Sequence, residues 1–144
     1  MNVMKLARSP APSVQATATI RQAVAVMQEM NCGALVALDG ETVAGIVSER
    51  DVVLRAVGMG LNSEDTPVSA IMSSPVESIP ADTPTGRAVD MMSRKRFRHL
   101  AIVGEDGKLA GLLSIREAFQ EHLAYMLDQL LSLESFVGAD GPGG

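Results

Sequence analysis

Two copies of a short motif carry the side chains of this chain that are best suited to binding chemistry. The first copy, Gly45–Asp51, reads GIVSERD, and the second, Gly111–Glu117, reads GLLSIRE. In each copy an aliphatic run gives way to a Ser and then to acidic residues, which is typical of a strand followed directly by a helix. A hydroxyl and a carboxylate at a helix start either cap free backbone N–H groups or bind a polar ligand there. The pattern leaves both roles open.

Cationic side chains accompany the motifs. Arg50 and Arg116 each precede the motif carboxylate by one residue, and Arg98 and His99 come directly before an apolar run in the segment FRHLAIV. Arg98 also belongs to the basic run 94–98, whose ordinary role is to complement the C-terminal end of a helix. Both interpretations of Arg98 and His99, helix end and anion contact, remain open at this point.

The composition narrows the classes of function. The chain has 144 residues, a formal net charge of -5, one Tyr, three Phe and no Trp, so it lacks the basic face and aromatic rings that nucleic-acid binding requires. A lone Cys32 and two His predict no internal disulfide and no metal site, and Cys32 is best explained as a small buried residue. No signal peptide or membrane-spanning stretch is evident, so we expect a soluble cytoplasmic protein.

The chain repeats itself at an offset of 65 or 66 residues. Residues 23–30 (AVAVMQEM) match 88–95 (AVDMMSRK), and residues 6–10 (LARSP) match 71–75 (IMSSP), both at an offset of 65. The two motif copies match at an offset of 66, which indicates one inserted residue in the turn before them. A duplicated structural unit is therefore predicted.

Each copy predicts the order β-α-β-β-α. Thr19–Met30 and Thr85–Arg94 have helical apolar spacing and begin with a Thr that can cap the helix, and second helices follow Ser48 and Ser114. The predicted strands are Val14–Ala16, Ala34–Leu38, Thr42–Val47, Val76–Ile79, Leu100–Val103 and Lys108–Leu113. Each half would expose an apolar sheet face. We therefore predict an α/β (α+β) fold of two repeats that pack about a pseudo-twofold axis.

The C-terminal part of the chain predicts a long helix with an apolar seam. We divide the chain into repeat 1 (6–60), a linker (61–70) in which Thr66 and Pro67 open a helical turn, repeat 2 (71–123), a helix extension (124–137) and a flexible tail (138–144). Spacings of 4, 3, 4, 3 and 4 make a heptad seam of Phe119, Leu123, Met126, Leu130, Leu133 and Val137. We expect a homodimer through this seam; the alternative is that it packs on its own repeat.

The duplicated unit and its motif resemble the cystathionine-β-synthase (CBS) domain pair, or Bateman module, from about Leu6 to Leu123. The resemblance rests on the Gly-aliphatic-aliphatic-Ser-x-x-acid pattern of GIVSERD and GLLSIRE. It implies a stand-alone, non-catalytic signal-transduction module that requires no cofactor. Such a module binds an adenine nucleotide (AMP, ADP, ATP or NAD) or S-adenosylmethionine as a regulatory ligand in the cleft between the repeats.

The resemblance also implies roles for single residues. The carboxylates of Asp51 and Glu117, with Ser48 and Ser114 nearby, would bind ribose, since an ionised carboxylate can accept from both hydroxyls of a diol. Glu117 is one methylene longer than the Asp of the family pattern, so its site is expected to bind more weakly, to bind differently or to be empty. Phosphate contacts are implied for Arg98, His99, Arg50 and Arg116. Base contacts are implied for Ser73, Val76, Ser78, Cys32, Gly33, Ala34, Ile46 and Leu112, with Arg8, Ala11 and Ser13 as the counterparts of Ser73, Val76 and Ser78 near Glu117.

Three classes of function follow. A ligand-sensing module is our first hypothesis, with an unknown separate protein as its regulated target. An adaptor that dimerises and has a vestigial cleft is the alternative. An enzyme fits least, because the sequence offers no nucleophile with a paired base, no metal ligand set and no phosphate-binding glycine loop.

Overall fold

The computed structural model describes residues 2–139 and contains two three-stranded sheets, one in each repeat. The elements of repeat 1 are β1 (Ser13–Gln15), α1 (Ile20–Met30), β2 (Ala34–Asp39), β3 (Thr42–Ser48) and α2 (Glu49–Asp51), which continues as a π-helix over Val52–Val57. Those of repeat 2 are β4 (Ser78–Pro80), α3 (Thr85–Lys95), β5 (His99–Val103), β6 (Leu109–Ser114) and α4 (Ile115–Ala139). The predicted order of elements is confirmed in both repeats.

The two sheets have the same topology and register. The first strand of each repeat pairs in parallel with the central strand, which pairs antiparallel with the third. Ala34 is the register partner of Ser48, and His99 that of Ser114. Each motif Ser therefore lies beside the first residue of a central strand, so the start of each second helix lies at the edge where that strand begins.

The segment that leads into each repeat packs in the core of the other repeat. Leu6 is buried in the core of repeat 2, whereas Ile71 is buried in the core of repeat 1. Paired backbone hydrogen bonds join Arg8 to Leu112 and Ser73 to Ile46. The sequence repeats, which begin at Leu6 and Ile71, therefore do not coincide with the packing units, and the lead-in segments border the space between the repeats.

Two of the predicted helix starts differ in detail. Thr19 caps α1 as expected, and its capping box is completed by Gln22. Thr85 does not cap α3: it is the first helical residue and is buried, while Pro84 occupies the cap position. In the linker a 3-10 turn covers Val68–Ala70 and Pro67 takes the cap position, so the turn begins one residue later than predicted.

The helix α4 extends well beyond the body of repeat 2. Its residues 123–138 are all exposed, and the helix reaches Ala139, so Gly138 is helical although it was predicted to open the tail. Residues 140–144 of the predicted tail lie outside the described residues. None of the helices between residues 2 and 139 combines the length and apolar character that crossing a bilayer requires.

Candidate ligand-binding site

A cavity of about 900 Å³ opens between the two repeats on the side of Glu117. Its walls come from α1, the start of β2 and the α2 region in repeat 1, and from β6 and the start of α4 in repeat 2. This volume is typical of small-molecule sites, which measure about 300–1,000 Å³. The predicted site residues that line the cavity are Arg8, Cys32, Gly33, Ala34, His99, Leu112, Ser114, Arg116 and Glu117.

The carboxylate of Glu117 extends into this cavity and pairs with Arg8. Glu117 Oε1 lies 3.3 Å from Arg8 Nε, and both side chains are a little over a third exposed. The backbone N–H of Glu117 donates to Ser114 Oγ over 3.5 Å, which is a weak cap. The Glu117 carboxylate is therefore bound by Arg8 on the wall of the cavity.

Arg8 joins the two repeats across the cavity. Its Nη1 and Nη2 groups donate to the carbonyl oxygens of Met30 and Asn31, each over 3.0 Å. Because helix α1 ends at Met30 and Asn31 is left-handed with φ 49°, the guanidinium supplies donors that the C-terminal carbonyls of the helix lack. Arg8 was predicted only as the counterpart of Ser73, and its contact with Glu117 was not predicted.

The Asp51 carboxylate, predicted to bind ribose, is bound to Ser48 in its own repeat. Its Oδ2 accepts hydrogen bonds from the backbone N–H and the hydroxyl of Ser48, over 2.9 and 3.0 Å, and Oδ1 lies 3.8 Å from Arg55 Nε. The side chain is 13% exposed and does not line the 900 Å³ cavity. Ser48 and Asp51 form a capping box at the start of α2, as Thr19 and Gln22 do at the start of α1. In this structure the Asp51 carboxylate is turned to its own helix start and not to an open groove.

The other predicted residues are dispersed. Ser73 pairs with Ile46 through backbone hydrogen bonds, and Ile46 is buried in a cluster that joins the repeats. Val76 and Ser78 line a second cavity, of about 420 Å³, between the two hairpins. Arg50 and Arg98 are exposed and lie outside the lining of both cavities.

His99 lies between the two motif copies. Burial lowers the pKa of His99 below its ordinary value, and Arg98 adds to this lowering, whereas the negative charges of Asp51 and Glu117 oppose it. The imidazole is therefore neutral at neutral pH and can both donate and accept a hydrogen bond in the cavity.

Cys32 lines the same cavity and is half-buried, not fully buried as predicted. Burial raises the pKa of Cys32, although the positive charge of Arg8 opposes the shift. The thiol therefore stays protonated at neutral pH, as a small apolar residue would require.

One wall of the cavity is apolar, and it was not predicted from the sequence. It is formed by Val24 and Met27 of α1 and by Val52 and Val53 of the π-helix. The π-helical distortion was not predictable from the apolar spacing, which reads as an ordinary helix. Together with Glu49, Arg116 and Glu117 this wall gives the cavity an apolar part and a part of mixed charge. Within the described residues no group of three or more His, Cys, Asp or Glu side chains is arranged to hold a metal ion.

Two βαββα repeats with exchanged lead-in segments and a cavity between them define a tandem domain pair. The chain belongs to the CBS domain family, because the CBS domain model matches residues 3–58 and 68–123.

Relatives in sequence and structure agree with this assignment. The chain is 37% identical over 116 residues to an uncharacterized 17.7 kDa protein of Acidianus ambivalens, covering 80% of this chain and 69% of that protein. A proposed signal-transduction protein with CBS domains from Burkholderia ambifaria is 32% identical, with a TM-score of 0.72, over 79% of this chain and 83% of that one. The CBS domain protein PAE2072 of Pyrobaculum aerophilum, solved in complex with AMP, is 32% identical, with a TM-score of 0.71, over 81% and 89%. Other curated relatives are much longer: the chain spans 23% of the CBS domain-containing protein CBSCBSPB1 of Arabidopsis thaliana.

Proposed function

We propose that this protein is a non-catalytic regulatory module that binds an adenine nucleotide in the cavity beside Glu117. The observation that carries the proposal is the cavity itself, which combines a carboxylate, cationic side chains and an apolar wall at the junction of the repeats. The AMP complex of PAE2072, a relative 32% identical to this chain, supports an adenine ligand.

Each part of such a ligand has a matching part of the cavity. The ribose diol would donate to Glu117, which retains acceptor capacity beyond its bond to Arg8. The phosphate would lie toward Arg116 and His99, and the base against the apolar wall of Val24, Met27, Val52 and Val53. The cavity would thus contact both ends of a nucleotide.

One ligand per chain is the stoichiometry that the contacts favour. The Asp51 carboxylate is 13% exposed and does not line the cavity. The Glu117 carboxylate lines the cavity and retains acceptor capacity beyond its bond to Arg8. We therefore propose that Glu117, which departs from the family pattern, marks the occupied site.

Ligand binding would be transmitted through the relative position of the repeats. Residues of both repeats line the cavity, so a ligand contacts both and favours the arrangement in which both contacts are made. A separate target protein would respond to that arrangement through its different affinity for the two states.

A thermal-shift panel of AMP, ADP, ATP, NAD and S-adenosylmethionine tests the proposal. At about 100 times its Kd a ligand stabilises the folded protein by about 2.7 kcal/mol, which gives a measurable rise in Tm. We expect a rise with at least one compound and its loss in Glu117→Gln. Asp90→Asn, on the outer face of α3, is the matched control and retains the rise.

Other outcomes of this panel contradict the proposal in different ways. No rise with any of the five compounds would favour the adaptor function. Loss of the rise in Asp51→Ala but not in Glu117→Gln would move the site to repeat 1.

The exposed helix α4 supports a second part of the proposal, homodimerisation. Over residues 123–138 this helix is exposed on every side, which excludes packing of that part of the seam on its own repeat. An apolar surface of this length requires a partner. Its exposed large apolar residues are Leu123, Tyr125, Met126, Leu127, Leu130, Leu131, Leu133, Phe136 and Val137.

A further inference from the structure

The repeats differ at two positions that meet in space. At the repeat offset Arg8 corresponds to Ser73, and Glu117 corresponds to Asp51. The structure joins the two exceptional residues by an ion pair of 3.3 Å on the wall of the cavity. We infer that Arg8 is a positioning residue, which holds the Glu117 carboxylate in the orientation that binds the ribose diol; this inference rests on the proposed function.

Glu117 needs such a partner because it lacks the support that Asp51 has. The Asp51 carboxylate is oriented by two donors of Ser48, at 2.9 and 3.0 Å. Glu117 has one more rotatable bond, and its link to Ser114 is a single backbone contact of 3.5 Å. Without Arg8 its carboxylate would sample several rotamers, and ordering it would reduce the affinity for a ligand.

Arg8 is itself held firmly enough to orient a neighbour. Its backbone exchanges two hydrogen bonds with Leu112, and its Nη1 and Nη2 groups are bound to the carbonyls of Met30 and Asn31. Only Nε is directed to Glu117 Oε1. The second carboxylate oxygen and the remaining lone pair of Oε1 stay available to accept from the two hydroxyls of a diol.

The alternative is that Arg8 competes with the ribose for Glu117. If the ion pair occupied the position of the ribose, removal of Arg8 would free Glu117 and binding would become tighter. The direction of the change in AMP affinity separates the two cases. The comparison with 2′-deoxy-AMP, which lacks one of the hydroxyls that Glu117 would bind, shows whether the change acts through the diol.

The test is isothermal titration of the full chain with AMP and with 2′-deoxy-AMP. The wild type is expected to prefer AMP, and Arg8→Gln to bind AMP about tenfold more weakly, the size of one charge-assisted hydrogen bond, with little change for 2′-deoxy-AMP. The matched control is Arg94→Gln, which breaks the exposed Arg94–Asp90 pair on α3 and leaves both affinities unchanged. Circular dichroism establishes that each variant is folded.

A second variant keeps the test decisive if Arg8→Gln does not fold. Arg8→Lys retains the aliphatic stem and the charge but not the fork that contacts three acceptors at once, and it too is expected to lose preference for AMP. An undiminished preference, tighter AMP binding or an equal loss for both compounds would overturn the role of Arg8 while leaving the proposed function intact. A wild type that binds neither compound, and whose Tm rises with none of the five compounds of the thermal-shift panel, would overturn both.

Discussion

The two motif copies have the same Ser before the helix start but direct their carboxylates to different places. In repeat 1 Asp51 accepts two hydrogen bonds from Ser48, so the carboxylate stabilises the start of its own helix. In repeat 2 Glu117 extends past Ser114 to Arg8 and contributes to the wall of a large cavity. The comparison shows that two equivalent motif carboxylates can have different partners: Asp51 caps its own helix, whereas Glu117 pairs with Arg8 beside a cleft.

The helices that follow the motifs differ as well. In repeat 1 the α2 region loses α-helical geometry at Val52 and ends as a π-helix at Val57. In repeat 2 the corresponding α4 continues to Ala139 with an exposed apolar surface. The two repeats therefore have sheets of the same topology and register. The helices after the motifs differ in geometry and length.

The largest effect is expected from removing the apolar surface that distinguishes α4 from α2. Leu130→Glu combined with Leu133→Glu should convert a dimer to a monomer, because charges would be buried in the helix pair. Light scattering checks this as a halved molar mass. The control Ser132→Glu with Ser135→Glu changes two exposed polar positions of the same helix and should leave the mass unchanged. A wild-type monomer, or a dimer that survives the Leu changes, would contradict the proposed seam.

A smaller effect is expected when the two motif serines are compared. Ser48→Ala removes a hydroxyl that bonds Asp51 twice and should lower the free energy of unfolding by about 1 kcal/mol. Ser114→Ala loses only a 3.5 Å contact and should cost less than about 0.5 kcal/mol. Urea unfolding measures both, and equal losses would show that the two helix starts are capped alike.

The smallest effect concerns His99, which corresponds to Ala34 in repeat 1. Burial lowers the pKa of His99 in the folded protein, whereas in the unfolded chain it titrates near pH 6.5. Below that pH the unfolded state binds more protons, so the free energy of unfolding should fall as the pH is lowered from about 7.5 to 5.5.

Matched histidine variants test this pH dependence by urea unfolding across that range. His99→Gln should flatten the dependence, and His122→Gln, which leaves His99 in place, should retain it. A His99→Gln protein with the full wild-type slope would assign the dependence to other groups.

The helices, strands and duplication of this protein are predictable from its sequence, because apolar periodicity and turn residues act locally. The same periodicity predicted the apolar seam of α4, whose large residues are exposed. Where local signals competed, prediction was less accurate: Thr85 is a good capping residue, yet it is buried as the first residue of α3 while Pro84 takes the cap position.

Only the tertiary structure decided which motif copy faces the cavity and what surrounds it. The exchange of Leu6 and Ile71 between the cores, the π-helix after Asp51 and the contact of Arg8 with Glu117 each depend on residues distant in sequence. Local pattern specifies which residue types are present at a helix start. The direction in which a flexible side chain points depends on the partners that the fold places within its reach. Here those partners are Ser48 for Asp51 and Arg8 for Glu117.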